Sequence, residues 1–234
     1  MTTDARRDAL KEVFARARVC QRCPELARTR TQVVFGAGNW DAELLFVGEA
    51  PGRHEDEQGR PFVGAAGKLL GELLSEIGMS RDDVFIANVL KCRPPGNRDP
   101  QPHEIDNCKP YLFEQLDLIQ PTVVCTLGNF ATKLLRDDPT GITKLRGRPE
   151  VRQIGPRTVR LYPLFHPAAA LYQRSNVDLL REDFGRIPEL LAQGAPPQPQ
   201  AVEAGSLDDQ PAAEERPSQP APEQPAADQL DLFS

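Results

Sequence analysis

The sequence predicts an α/β fold: a three-layer α/β/α arrangement around a central four-stranded parallel sheet. Two observations carry that expectation. Apolar runs of strand length alternate four times with stretches of helical periodicity, the pattern that winds a parallel sheet between helical layers. Runs such as residues 44–47 and 123–127 are also apolar at nearly every position, as strands covered on both faces must be.

In chain order, the first strand is expected over residues 43–48 and the first helix over 66–77, where Leu69, Leu70, Leu73, Leu74 and Ile77 share a face. Residues 83–89 form the second strand and 103–118 the second helix. Strand 121–128 with helix 129–136, and strand 158–165 with helix 176–191, complete the series.

The composition changes at Gly194. From there to Ser234 the chain carries eight acidic residues, a single basic one (Arg216) and eight of the 23 prolines. Such a segment buries too little apolar surface to offset its conformational entropy. Residues 1–193 are therefore expected to form one domain, 194–227 a disordered acidic proline-rich linker, and 228–234 a terminal peptide. The chain has net charge −6, but its first 193 residues hold 27 basic and 26 acidic side chains, so a nucleic-acid substrate is not excluded.

No run of about 18 apolar residues occurs, and the charged residues 1–11 have no apolar stretch behind them. Neither a membrane span nor a signal peptide is expected, and the protein is placed in the cytoplasm. In that reducing compartment the five cysteines read as ligands, catalytic groups or core residues before disulfides.

Open parallel sheets bind ligands outside the carboxyl ends of their strands. The first strand runs into Gly48-Glu49-Ala50-Pro51-Gly52, the second ends at Asn88, and the fourth delivers His166. Singly, these are a solvated loop acid, a strand-end cap and a structural histidine. Together they bring a carboxylate, an amide and an imidazole to one sheet edge, equipment for holding a polar heterocycle and moving charge.

Cys20 and Cys23, with two residues between them, place two sulfurs on one turn; Cys92 and Cys108, in the connection after the second strand, complete a four-thiolate set. The spacing accepts zinc or an iron-sulfur cluster equally. Cys125, inside an apolar run, reads as core.

Four segments, Gly48-Glu-Ala-Pro-Gly52, Glu55-Asp-Glu-Gln-Gly-Arg-Pro-Phe-Val-Gly64, Asn88-Val-Leu-Lys-Cys-Arg-Pro-Pro95 and His166-Pro-Ala-Ala169, follow one another in an order and spacing that resembles family 4 uracil-DNA glycosylases over roughly residues 14–192. The resemblance implies an enzyme that flips uracil out of DNA and hydrolyses its N-glycosidic bond, leaving an abasic site that starts base excision repair. It further implies a [4Fe-4S] cluster on Cys20, Cys23, Cys92 and Cys108, and Phe62 as the residue stacking on the flipped base.

The chemistry assigns roles to the other residues. A base must leave the duplex before a catalytic group reaches it. The Asn88 amide can then pair with N3–H and O4 of uracil, in a turn formed by Gly48, Glu49 and Ala50. Bond cleavage puts negative charge on the departing base, so a donor at O2 lowers the barrier; His166 is assigned that catalytic role. Glu49 is the second catalytic candidate, orienting water or stabilising the sugar cation. Ala50 and Gly52 stand where relatives of another family keep an aspartate and a tyrosine, which leaves water activation and thymine exclusion to Glu49 and Glu55.

Residues 63–67 read as a tight turn with a possible DNA-phosphate contact, since the P-loop spacing is incomplete. Within the basic stretch 141–160, Lys144, Arg146 and Arg148 are assigned to DNA phosphates. Leu171 supplies either a wedge for the gap left by the base or packing under the last helix. At the far end Gln229, Leu230, Leu232 and Phe233 resemble the short peptide by which bacterial replication and repair proteins bind the sliding clamp. The expected protein is a monomer associated with the nucleoid. The alternative is a nonenzymatic iron-sulfur module that binds damaged DNA and is recruited by the clamp.

Overall fold

The computed structural model describes residues 1–199. The chain opens with α1 (Thr3–Arg18), started by the Thr2 hydroxyl accepting from the Ala5 N–H and burying Leu10, Val13 and Ala17 along one face. A short α2 (Pro24–Thr29) follows. Then come β1 (Ala37–Gly38), β2 (Leu44–Gly48), α3 (Arg53–Gln58), α4 (Ala65–Glu76) and β3 (Phe85–Asn88). After a single 3-10 turn at Pro95–Asn97 the chain enters α5 (Pro102–Ile119), β4 (Val123–Leu127), α6 (Asn129–Arg136) and α7 (Ile142–Leu145). The hairpin β5 (Glu150–Ile154) and β6 (Arg157–Leu164) leads to α8 (Pro167–Tyr172), α9 (Ser175–Gly185) and α10 (Ile187–Ala192).

The sheet has six strands in the order β1-β3-β2-β4-β6-β5. Its central four are parallel, as expected, and an antiparallel strand is added at each edge. Neither edge strand has an apolar signature: β1 is two residues long, and β5 alternates charged and apolar positions because one of its faces meets solvent. The expected final helix is two. It breaks between Gly185 and Ile187, where Pro188 sits in the first turn of α10 and has no N–H to continue α9.

Side chains of β2 alternate between the two helical layers. Leu45 and Val47 join α1, α5 and α6 on one face; Leu44 and Phe46 join α4, α9 and α10 on the other. Phe46 stacks on Phe184 with centroids 5.6 Å apart. Since β3 and β4 flank β2 on opposite sides, the connections diverge at its carboxyl end and open a crevice there. Beyond α10 the chain still lies on β6, where the Gln198 amide donates to Thr158 O at 2.8 Å. No helix among the described residues is long and apolar enough to cross a membrane.

One buried ion pair ties the hairpin region to the last layer. Arg146 donates through Nε and Nη2 to the two Asp183 carboxylate oxygens at 2.9 and 2.6 Å, with Asp183 only 3% exposed. Replacing Asp183 with alanine removes the two-oxygen partner of that guanidinium, leaving the exposed Glu182 at 3.4 Å and the Leu179 carbonyl, and is expected to cost about 3 kcal/mol, read as a lower urea midpoint at unchanged slope.

Candidate active site

A cleft of about 430 Å³ opens at the carboxyl ends of β2, β3 and β6, lined by Glu49, Phe62, Asn88 and His166 among others. The three strand-end groups expected from the sequence do meet there. Gly48 makes the convergence possible: a Cβ on it would lie 2.8 Å from Phe62 Cζ and closer still to Asn88 Oδ1. Asn88 is 2% exposed, and its side-chain amide has no hydrogen-bond partner among the described residues. Its backbone is fixed by the β2–β3 register and by Val89 N–H donating to Gly48 O at 2.9 Å.

Phe62 has φ +53°, a left-handed conformation that costs energy in a non-glycine residue. The surroundings impose it. Glu55 Oε1 accepts from the Val63 and Gly64 N–H groups at 2.9 and 3.0 Å, while Arg81 donates to the Pro61 and Phe62 carbonyls at 2.8 and 2.9 Å. Gly67 packs so tightly that a Cβ would collide with the Phe62 carbonyl, so the glycine after residue 63 serves backbone approach rather than a phosphate cradle. The Phe62 ring lies beside His166, centroids 5.5 Å apart at 25°.

His166 caps α8, its Nδ1 accepting from the Ala168 N–H at 3.1 Å. An accepting Nδ1 carries no proton, so the neutral ring is protonated at Nε2. Burial pushes the imidazolium down to about 4, against a smaller opposing pull from Glu55. Burial acts on Glu49 in the other sense: loss of hydration, reinforced by Asp99, raises its carboxyl to about 7. The cleft thus holds a neutral N–H donor and a carboxylate poised near neutrality.

Cys20, Cys23, Cys92 and Cys108 surround a second, small cavity together with Arg30, Lys91 and Asn107. Cys108 lies within α5, beyond the first turn, in the helix expected over 103–118. Three N–H groups approach the sulfurs: Arg30 Nη1 to Cys92 at 3.3 Å, the Lys91 amide to Cys108 at 3.2 Å and Asn107 Nδ2 to Cys23 at 3.6 Å. Donors of this kind stabilise thiolates. Burial holds the Cys108 thiol up at about 11, against a smaller opposing pull from Lys91. Among the described residues no three His, Cys, Asp or Glu side chains close on one metal ion. The donor set, four sulfurs ringed by N–H groups and two cations, fits an anionic thiolate-bound cluster. Cys125 lies buried in the sheet, as expected.

The basic stretch divides. Lys144 and Arg148 are exposed, but Arg146 is a correction to the sequence reading, because its guanidinium is committed to Asp183 and stacks over Phe165 at 5.7 Å. Arg152 pairs with Glu150, and Arg160 donates to Gly194 O. Leu171 is 50% exposed and Tyr172 93%, both on α8 immediately past His166. Gln229, Leu230, Leu232 and Phe233 lie outside the described residues. Arg81, Lys91 and Arg98 went unnoticed in the sequence, where each reads as a surface charge.

The model of the uracil DNA glycosylase superfamily matches residues 35–187. A type-4 uracil-DNA glycosylase of Sulfurisphaera tokodaii is 47% identical over 188 residues, covering 78% of this chain and 85% of that protein. One from Archaeoglobus fulgidus is 44% identical over 194 residues, 81% and 96% of the two chains. A type-5 uracil-DNA glycosylase of Pyrobaculum aerophilum is 31% identical over 179 residues, 64% and 78%.

The raised Glu49 carboxyl has a consequence for stability. The folded state holds this proton more tightly than the unfolded chain, so its contribution is present below the ordinary glutamate range, near 4.5, and is lost as pH rises through about 7. Glu49→Gln is therefore expected to melt at higher temperature than the parent at pH 8, with the difference closing at pH 4.5 in thermal denaturation.

Proposed function

The chain belongs to the uracil-DNA glycosylase superfamily, and from that premise we propose that the cleft at the ends of β2, β3 and β6 is where uracil flipped out of DNA is bound and cut from its sugar. The enzyme is a hydrolase of N-glycosyl bonds that acts in DNA repair. The observation that carries the site assignment is the hydrogen bond from Ala168 N–H to His166 Nδ1, which leaves a neutral ring with its proton on Nε2.

A neutral donor suits this reaction. As the bond between C1′ and N1 breaks, negative charge grows on the uracil O2, and the Nε2–H stabilises it without first giving up a proton. Asn88 reads N3–H and O4 with its unpartnered amide. Phe62 stacks against the base, with Gly48 and Ala50 leaving room for it. Glu49, half ionised near pH 7, orients the water whose oxygen bonds to C1′ and accepts its proton. Glu55 holds the Phe62 loop.

Around the pocket, Lys144 and Arg148 meet phosphates, and Leu171 enters the stack where the base has left. Cys20, Cys23, Cys92 and Cys108 hold a [4Fe-4S] cluster, which supplies cross-linking and negative charge, since glycosidic hydrolysis transfers no electron. The nonenzymatic alternative has less support, because the relatives of highest identity here are named as glycosylases. Residues 229–233 dock the protein on the sliding clamp; removing the last six residues is expected to abolish clamp pull-down and leave excision on short oligonucleotides unchanged.

The test is alkaline strand scission of an oligonucleotide bearing uracil opposite guanine. His166→Ala is expected to lower single-turnover excision by about 100- to 1,000-fold. For the parent, kcat/KM should rise with pH through about 7 and level off, because only the ionised Glu49 orients water. His166 adds no limb between pH 5 and 8, since it stays neutral throughout. Glu49→Gln should abolish the rise; a parental pH profile in that variant would remove Glu49 from the mechanism.

A further inference from the structure

Lys91 is 2% exposed, and no carboxylate pairs with it among the described residues. A buried ammonium is costly unless its donors are fully used. Here they reach Asn88 O at 2.8 Å and Gln115 Oε1 at 2.5 Å. Gln115 is fully buried in α5 and is itself fixed by donating from Nε2 to Phe35 O at 2.9 Å. The Lys91 main chain is held as well, its carbonyl accepting from Val34 N–H at 2.8 Å and its amide donating to Cys108 Sγ. One side chain thus closes the turn 88–91 back on the residue that carries the free amide in the cleft.

We propose that Lys91, braced by Gln115, is a positioning residue that fixes the Asn88 amide for reading the base. This rests on the role given to Asn88 above. Among the described residues no other side chain bonds the Asn88 carbonyl, and past Leu90 N–H, which donates to Glu49 O at 3.0 Å, the chain leaves the sheet. The next residue is Cys92, so the segment that presents the base-reading amide is continuous with the four-cysteine site. Lys91 lies between the two, its main-chain amide on Cys108 Sγ and its side chain on Asn88 O. Its four-carbon stem crosses the core beside the Phe35 ring, 5.8 Å from Nζ to the centroid.

The test compares Lys91→Met and Gln115→Leu, each alone and combined with Asn88→Ala, by single-turnover excision of uracil at saturating and subsaturating enzyme. Iron per chain and visible absorbance are measured on the same preparations. Each single variant is expected to lose roughly 10-fold or more in excision rate, the range seen when outer-shell partners are removed, with iron content unchanged. In the Asn88→Ala background the same changes should cost less than about 2-fold, because the group they position is gone. Equal losses in both backgrounds overturn the proposal. Should Lys91→Met shed its iron, Gln115→Leu, which touches no cysteine, decides alone. An Asn88→Ala variant as fast as the parent would instead overturn the reading of Asn88 itself.

Discussion

Two side chains crowd the space where Gly48 has none. The Phe62 ring and the Asn88 amide approach the end of β2 so closely that any Cβ there would displace them. A glycine at a strand end is usually a matter of backbone freedom; here it is a matter of volume. The Asn88 amide and the Phe62 ring reach one point because the strand between them leaves a gap, and His166 then packs beside the ring from β6. The remaining features of the cleft hold this arrangement in place. Arg81 and Glu55 bracket the left-handed Phe62 from opposite sides, and Gly67 lets α4 begin directly beneath it.

Closeness on this scale also removes water, and that sets the charges. Desolvation favours the neutral forms of His166 and Glu49, so it depresses the first and elevates the second. The two effects have opposite uses. A histidine neutral at pH 7 donates a hydrogen bond without the cost of holding a buried cation, while a carboxylate lifted to about 7 becomes a better proton acceptor than an ordinary glutamate. Stability is sacrificed at Glu49 for that gain, as is common where activity needs an unfavourable group in a fixed place.

The central sheet and the three strand-end residues were legible in the sequence because a parallel strand buried on both faces leaves an uninterrupted apolar run, and its first polar residue marks the carboxyl end. Edge strands leave no such mark. The charged β5 read as part of a DNA-facing stretch, and Arg146 with it, since its partner Asp183 lies far along the chain and appears only after folding. Lys91 and Arg81 were illegible for a related reason: a long basic side chain next to a loop is ordinarily solvated, and only tertiary contacts show that these two are turned inward to carbonyls. The helix that carries Cys108 was legible too, expected over 103–118 and found as α5 over Pro102–Ile119.

What remains is what four gathered cysteines do in a hydrolase. Between β3 and α5 the chain has no regular element except one 3-10 turn, yet Pro94, Asn97 and Arg98 from this stretch line the far wall of the cleft. Ordering that many residues without a sheet or helix costs conformational entropy at each of them. Two anchors oppose the cost. At one end Cys92 joins Cys108, Cys20 and Cys23 around their cavity; at the other, Arg98 pairs with the buried Glu104 at 2.6 Å and with Glu25 of α2 at 2.9 Å. Both anchors reach α5 and the segment around α2. Charge therefore ties the wall to α5 and α2 at one end, while at the other the four cysteines bring Cys92 beside α5 and the start of α2, where a group bound to all four would add a second tie.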